Sequence, residues 1–445
     1  MLALVLNGVY VILALLALPM VIWKRLRIGK YRNGWVQKLT GQLPLRTDFQ
    51  HSAIWLHAVS VGEVLQLRQI VQRLQVDQPD ARILITTTTE TGYNIARETF
   101  SQCDIAFFPL DFSWSVQRAL DRVQPDLIIL VELELWPNFI LSAAARHIPL
   151  TLINGRLSER SFRGYRRIRP LVQRLLRCFS LIASQTEDDQ KRFLELGADP
   201  QTALVTGSIK FDGVLTTTNH PLTQELSSWL GLDPGASVFV AGSTQAPEEN
   251  YALEVYRKLL VTFPSLRLII VPRHPERGRE LAEIIQREGF PVQQRSSREL
   301  HCPGAMANHV SSGPAIGLLD TVGELGACWA LADVAFVGGS FTSRGGQNML
   351  EPAALGVAVC FGPNTWNFKQ IVELLRAHQA ACTVHSTAEL ELFVREMLEH
   401  PEAAGEMGAR ARKLVLSQQG ATDRTMNAFR DLYSRRERAA MSRAA

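Results

Sequence analysis

The chain has 445 residues, 46% hydrophobic and 20% charged, enough apolar material for two cores and too balanced a charge for wholesale disorder. Its net charge of +4 is small for that length, which argues against a globally basic nucleic-acid binder and leaves any cationic patch to be argued locally. The cysteines (Cys103, Cys178, Cys302, Cys328, Cys360 and Cys382) contain no CxxC pair and the histidines no metal-ligand spacing, so disulfides, a metal centre and a cofactor are not expected.

Residues 1–23 are almost wholly apolar, long enough as a helix to cross a hydrocarbon core of roughly 30 Å. Lys24, Arg25, Arg27, Lys30 and Arg32 follow, an excess that keeps the next segment cytoplasmic. The expectation is one spanning anchor with the body on the cytoplasmic face of an inner membrane; a cleaved leader or a helix lying in the interface are the alternatives.

Beyond the anchor, short apolar runs alternate with amphipathic stretches, the pattern of β-α units around a parallel sheet. Strands are expected at 53–57, 82–87, 104–108, 126–131, 150–153 and 181–184. A polar stretch over 212–221 reads as a linker, and a second series follows at 237–241, 266–271, 316–319, 334–337 and 357–361. The division expected is an anchor over 1–23, a Rossmann-like domain over 24–215, a second over 216–420, and a helix over 421–445 that packs back on the first domain. Open sheets bind ligands beyond the carboxyl ends of their strands, so two such domains are expected to face across a cleft lined by strand-to-helix loops.

Those loops carry the informative residues. Glu63 falls in the first turn of a helix after the loop 57–62, either a plain helix-terminal charge or a general base for an acceptor hydroxyl. An apolar strand then ends in Glu132, Glu134, Trp136 and Pro137, where Glu134 reads equally as a surface acid. A dense basic stretch opens at Arg156 and runs through Arg160 and Arg163 to Arg177. It is either a solvated face or a site for the phosphates of lipids or a lipid substrate; aromatic residues for base stacking are too few for nucleic acid.

The second domain offers Gly242-Ser243-Thr244 and Pro272-Arg273-His274-Pro275, each suited to phosphate. The segment 338–356 is the most specific: two diglycines flank a short loop, and a helix start carries Asn348 and Glu351 one turn apart. Glycines let backbone approach phosphate and Glu351 is placed to grip ribose hydroxyls, so a nucleotide pocket is expected. The segment is neither GxGxxG nor a Walker loop.

Taken together, the motifs at 57–63, 86–92, 109–111, 134–138, 154–161, 207–212, 242–249, 272–277, 323–325 and 338–368 resemble the 3-deoxy-D-manno-octulosonic acid (Kdo) transferase family over nearly the whole chain after the anchor. The resemblance implies a GT-B fold and metal-independent, inverting transfer of Kdo from CMP-Kdo to a lipid A precursor in lipopolysaccharide biosynthesis. It implies Glu63 as general base and Glu134 and Lys210 as groups that steady charge in the transition state. Pro272, Arg273, Gly323, Glu324, Asn348 and Glu351 then form the cytidine monophosphate pocket, with Lys210, Ser243 and Arg273 offsetting charge on the leaving phosphate. The sequence departs from the family at Gln245 and Gln347, where histidine is usual, at Pro247, at Ser208 and at Val322. Another lipid-directed GT-B transferase using a different nucleotide sugar, or a membrane-tethered nucleotide-binding scaffold, remain alternatives.

Overall fold

The structure is a computed structural model that describes residues 2–28, 33–233, 235–297, 300–301 and 314–444. Lys30, Arg32 and Cys302 of the expectations above lie outside the described residues. The chain forms two compact units: residues 1–213 with 419–445, and residues 214–418 between them.

Unit 1 is built on seven parallel strands: β1 Ala53–His57, β2 Arg82–Thr87, β3 Asp104–Phe107, β4 Leu127–Val131, β5 Leu150–Gly155, β6 Phe179–Ser184 and β7 Ala203–Val205. Their order in the sheet is β3-β2-β1-β4-β5-β6-β7. Helices cover both faces, which is why β4 is apolar at every position, β1 at every position but His57, and both are buried throughout. Alternate side chains feed two cores. Trp55, Ile128 and Leu130 join Phe139, Leu157 and Phe162 on one face. Ile54, Leu56 and Ile129 join Val64, Leu67, Ile70, Val71 and Leu74 of the helix Val61–Asp77 on the other.

That second face is completed by the C-terminal helix Ala421–Ala444, which buries Ala421, Met426 and Phe429 in the same core. Its start is fixed by Asp212, whose carboxylate accepts the Gly420 N–H at 2.7 Å and the Thr422 N–H at 2.5 Å. Arg430 pairs with Asp77 at 2.8 Å, and Arg73 with Asp423. Burying Met426 and Phe429 contributes about 1.5–3 kcal/mol each.

Unit 2 holds β8 Val238–Thr244, β9 Arg267–Pro272, β10 Val292–Gln294, β11 Leu300–His301, β12 Ile316–Leu318, β13 Val334–Val337, β14 Ala358–Phe361 and β15 Cys382–Thr383. The sheet order is β11-β10-β12-β9-β8-β13-β14-β15, and every described pair is parallel except β10 with β11. The polar stretch expected to be a linker contains the unit boundary at Gly213 and Val214; it gives way at Pro221 to a helix, Pro221–Leu230, that buries Leu226 and Leu230. Cys103, Cys178, Cys328, Cys360 and Cys382 are free thiols.

The apolar amino terminus is one helix, Leu2–Ile28, with an apolar window at Leu2–Met20 of mean hydropathy 2.3. None of its described side chains is fully buried.

Candidate functional site

In unit 1 the helix Val61–Asp77 starts at Ser60, whose hydroxyl oxygen accepts the Glu63 N–H at 3.3 Å. The Glu63 carboxylate reaches back: one oxygen accepts the Ser60 hydroxyl at 2.7 Å and the other the Val59 N–H at 2.8 Å. This reciprocal cap fixes the carboxylate in one orientation while leaving lone pairs on both oxygens for a further donor. The loop beneath it is braced by Thr87, Thr88 and Thr89, whose hydroxyls all donate to the Val59 carbonyl at 3.0, 3.3 and 3.4 Å.

Glu63 does not stand alone. Burial, above all, and then the neighbouring Glu63 charge push the Glu134 carboxyl up to about 8, Glu132 adding to the effect and the Trp136 indole opposing it. Burial also pushes Glu63 up, against its bonds from Ser60 and Val59, and Glu132 again adds. Three acids thus share one electrostatic field. Lys210 enters it by pairing with Glu132 at 3.1 Å.

Neither Glu132 nor Asn154, which holds the cluster together, is among the residues expected to carry a catalytic role. Asn154, in the left-handed region at φ 53°, donates through its amide to Gln66 at 2.6 Å and accepts the Ile209 N–H at 3.3 Å. It therefore ties the helix bearing Glu63 to the turn bearing Lys210. The expected basic residues surround this region differently: Arg156 is half-buried at the end of β5, while Arg160 and Arg163 are exposed on the helix Glu159–Arg167, Arg163 pairing with Glu159 at 3.0 Å. His57, the head of the same motif, is core. Burial holds it down to about 3, its ring stacks on Phe108 at 3.7 Å and Nδ1 lies 3.0 Å from the Thr86 carbonyl.

In unit 2 the glycine-bordered loop after β13 is organised by Glu248. Its buried carboxylate accepts N–H groups of Gln245 (2.9 Å), Gly339 (2.7 Å), Ser340 (2.8 Å) and Phe341 (2.9 Å). Those three loop N–H groups therefore point inward onto a carboxylate, not outward as a phosphate cradle, and this corrects the reason given above for the glycines. Gly338 is needed for another cause: a Cβ there would sit 2.6 Å from the Thr244 Cα and 2.7 Å from the Ser243 carbonyl. The two loops meet backbone to backbone.

Ser243, Pro272, Arg273, Asn348 and Glu351 gather at this junction. The Arg273 N–H donates to the Thr244 carbonyl at 2.9 Å, and the half-exposed Ser243 takes a left-handed φ of 54°. Asn348 donates to Glu351 at 3.0 Å. Burial pushes the Glu351 carboxyl up, opposed by Asn348, Trp329 and the charge of Arg273. The side-chain nitrogens of Gln245 and Gln347 flank Gly339, 3.4 and 3.0 Å from where its Cβ would stand. Gly323 is exposed at φ 90°, but Glu324 is held by Arg295 at 2.8 Å and by the Thr321 hydroxyl, so a protein cation already meets its charge. Among the described residues no group of three or more His, Cys, Asp or Glu is placed to hold a metal.

Residues 27–213 match the 3-deoxy-D-manno-octulosonic-acid transferase (kdotransferase) family. A 3-deoxy-D-manno-octulosonic acid transferase of Haemophilus influenzae is 35% identical over 385 residues, 86% of this chain and 87% of that protein. The chain belongs to the Kdo transferase family. The Kdo transferase of Bordetella pertussis is 32% identical over 85% of this chain and 87% of its own. Among solved structures, a UDP-GlcNAc 2-epimerase from Neisseria meningitidis, 13% identical, covers 85% of this chain and all of its own at a TM-score of 0.55, a likeness of fold alone. Two parallel-sheet α/β units agree with the GT-B architecture, and membership of the Kdo transferase family makes the chain a glycosyltransferase. The arrays then differ in chemical capacity. Unit 1 presents two carboxyls that burial raises, able to hold or take a proton; unit 2 presents an arginine, amides and a buried acid, donors and acceptors for a polar ligand.

Proposed function

We propose that the protein transfers Kdo from CMP-Kdo to a hydroxyl of a lipid A precursor, with inversion and without a metal, in lipopolysaccharide biosynthesis. The observation that carries this reading is the Glu63 carboxylate, fixed by its cap and raised by burial beside a second acid held near 8. Two coupled carboxyls, one of them protonated near neutral pH, can divide the work of proton transfer. Glu134, held near 8, keeps its proton near neutral pH, and the Glu63 carboxylate is the base.

Glu63 takes the proton of the attacking hydroxyl as its oxygen forms a bond to the anomeric carbon of Kdo. The bond from that carbon to the CMP phosphate breaks, and its electron pair leaves on the phosphate. Arg273 and Ser243 offset that charge, with Pro272, Asn348, Glu351 and the Gly323–Glu324 turn shaping the nucleotide pocket. Because Glu324 is bonded to Arg295, its part is to fix the turn. Lys210 and protonated Glu134 steady the acceptor side. Arg156, Arg160 and Arg163 meet the phosphates of the acceptor or of the membrane. The division of labour follows the chain: acceptor on unit 1 (1–213 with 419–445), donor on unit 2 (214–418), with the body attached to the cytoplasmic face of the inner membrane through the N-terminal helix.

The test is incubation of the full chain with CMP-Kdo and lipid A precursor, followed by mass measurement of the lipid. Each sugar added appears as one discrete step, and CMP is released in proportion. Absence of both, or stronger thermal stabilisation by UDP than by CMP, would overturn the proposal.

A further inference from the structure

We infer that Arg424 and Asp212 are positioning residues for Lys210: the place where the chain re-enters unit 1 sets where the lysine ammonium stands beside Glu132. This role presupposes the part given to Lys210 above and is independent of which sugar is moved. Lys210 sits in one turn of 3₁₀ helix, Ile209–Phe211, and pairs with Glu132 at 3.1 Å. So short a turn holds itself poorly. Its internal bonds are long, the Phe211 N–H to Ser208 and the Asp212 N–H to Ile209 both 3.3 Å.

The returning chain supplies what the turn lacks. The Gln419 amide donates to the Phe211 carbonyl at 3.0 Å, while the Asp212 carboxylate accepts the N–H groups of Gly420 and Thr422. Arg424 fastens the other end of the segment. Its Nε donates to the Thr206 carbonyl at 2.7 Å and its Nη1 to the Gln419 carbonyl at 3.2 Å. The guanidinium lies between Gly207 and Gly420, both left-handed at φ 90° and 89°. A Cβ at Gly207 would stand 2.8 Å from Nη2, and one at Gly420 2.9 Å from Nη1. Two glycines thus leave room for one side chain to join the outgoing and incoming strands of chain.

Residues 206–212 are therefore held at both ends, by Arg424 at Thr206 and by Asp212 at the start of the final helix, with Lys210 between them. A lysine is a point charge on a flexible stem, so its backbone decides where that charge can stand. Its effect on a neighbouring charge falls with distance, and a displacement of about 1 Å can lower turnover by up to roughly 10²-fold. Arg424 is exposed on its outer side, and Asp212 is partly so. Neither residue belongs to the apolar core, so either can be changed without removing buried apolar surface.

The test uses the full chain carrying Arg424→Gln or, separately, Asp212→Asn. Labelling with an amine-reactive ester, followed by mass spectrometry of the peptides, compares Lys210 with Lys38, a unit 1 lysine that donates to the Thr88 carbonyl at 2.9 Å. Lys210 should label several-fold faster in both variants than in the parent, with Lys38 at its parental rate. No change at Lys210, or equal acceleration of both lysines, would overturn the inference. In transfer assays each variant should lose roughly 10-fold in kcat at an unchanged KM for CMP-Kdo. In a Lys210→Met background Arg424→Gln should then cost nothing further, and additive losses would overturn the inference too. Absence of transfer by the parent overturns the proposed function instead, and the labelling still decides whether Arg424 and Asp212 place the lysine.

Discussion

Replacing Glu134 with Gln tests the acid cluster directly. Burial and the Glu63 charge move the Glu134 carboxyl from an ordinary 4.5 to about 8. An acid raised in the folded state binds its proton more tightly there than when unfolded. Its contribution to stability is therefore fully present below about pH 4.5 and is lost as pH climbs to about 8. At roughly 1.4 kcal/mol for each tenfold in acidity, the ceiling on that loss is about 5 kcal/mol. Because the repulsion is shared with Glu63 and Glu132, a third of the ceiling, about 1–2 kcal/mol, is the fair expectation at pH 8. A glutamine cannot ionise, so Glu134→Gln should melt roughly 2–6 °C above the parent at pH 8, the gap closing toward pH 4.5. Melting curves at half-unit steps between those limits read this out. Parallel pH profiles for parent and variant would refute the shared field, because they would mean that Glu134 titrates as it does in water.

Three further outcomes follow from the same geometry. Glu63→Gln keeps a residue able to close the reciprocal cap, so stability should change by less than about 1 kcal/mol while turnover falls roughly 10²–10⁴-fold; CMP should still raise its melting temperature. Glu248→Ala leaves the N–H groups of Gln245, Gly339, Ser340 and Phe341 without their acceptor, for a loss of at least about 3 kcal/mol and a higher KM for the donor, measured by calorimetry and steady-state kinetics. Ending the chain at Gln418 removes the burial of Met426 and Phe429, a loss of about 3–6 kcal/mol that limited proteolysis should register as early cleavage within unit 1.

Strands buried on both faces were legible because their apolar runs are unbroken: 53–57 and 82–87 match β1 and β2 end to end. The ones missed, Ala203–Val205, Val292–Gln294, Leu300–His301 and Cys382–Thr383, are two or three residues long and show no periodicity to read. In the site, Ser60 and Glu63 spell a capping-box signature that sequence alone displays, and it explains the orientation of Glu63. Other links are long-range. Lys210 meets Glu132, and Glu248 meets Gly339 and Ser340, across stretches of chain that no local pattern spans. Gly338 and Gly339 announced a special loop, yet only coordinates reveal that its N–H groups turn inward.

The return of the final helix to the first unit carries a consequence for synthesis. When the ribosome has completed β7, the face formed by Ile54, Leu56 and Ile129 still lacks Met426 and Phe429, which emerge only after residues 214–418 have been translated. At about 5–20 residues per second, that leaves a nascent sheet incompletely covered for roughly 10–40 s. The second unit, whose own core needs nothing from outside 214–418, finishes folding first, and the first unit is sealed last.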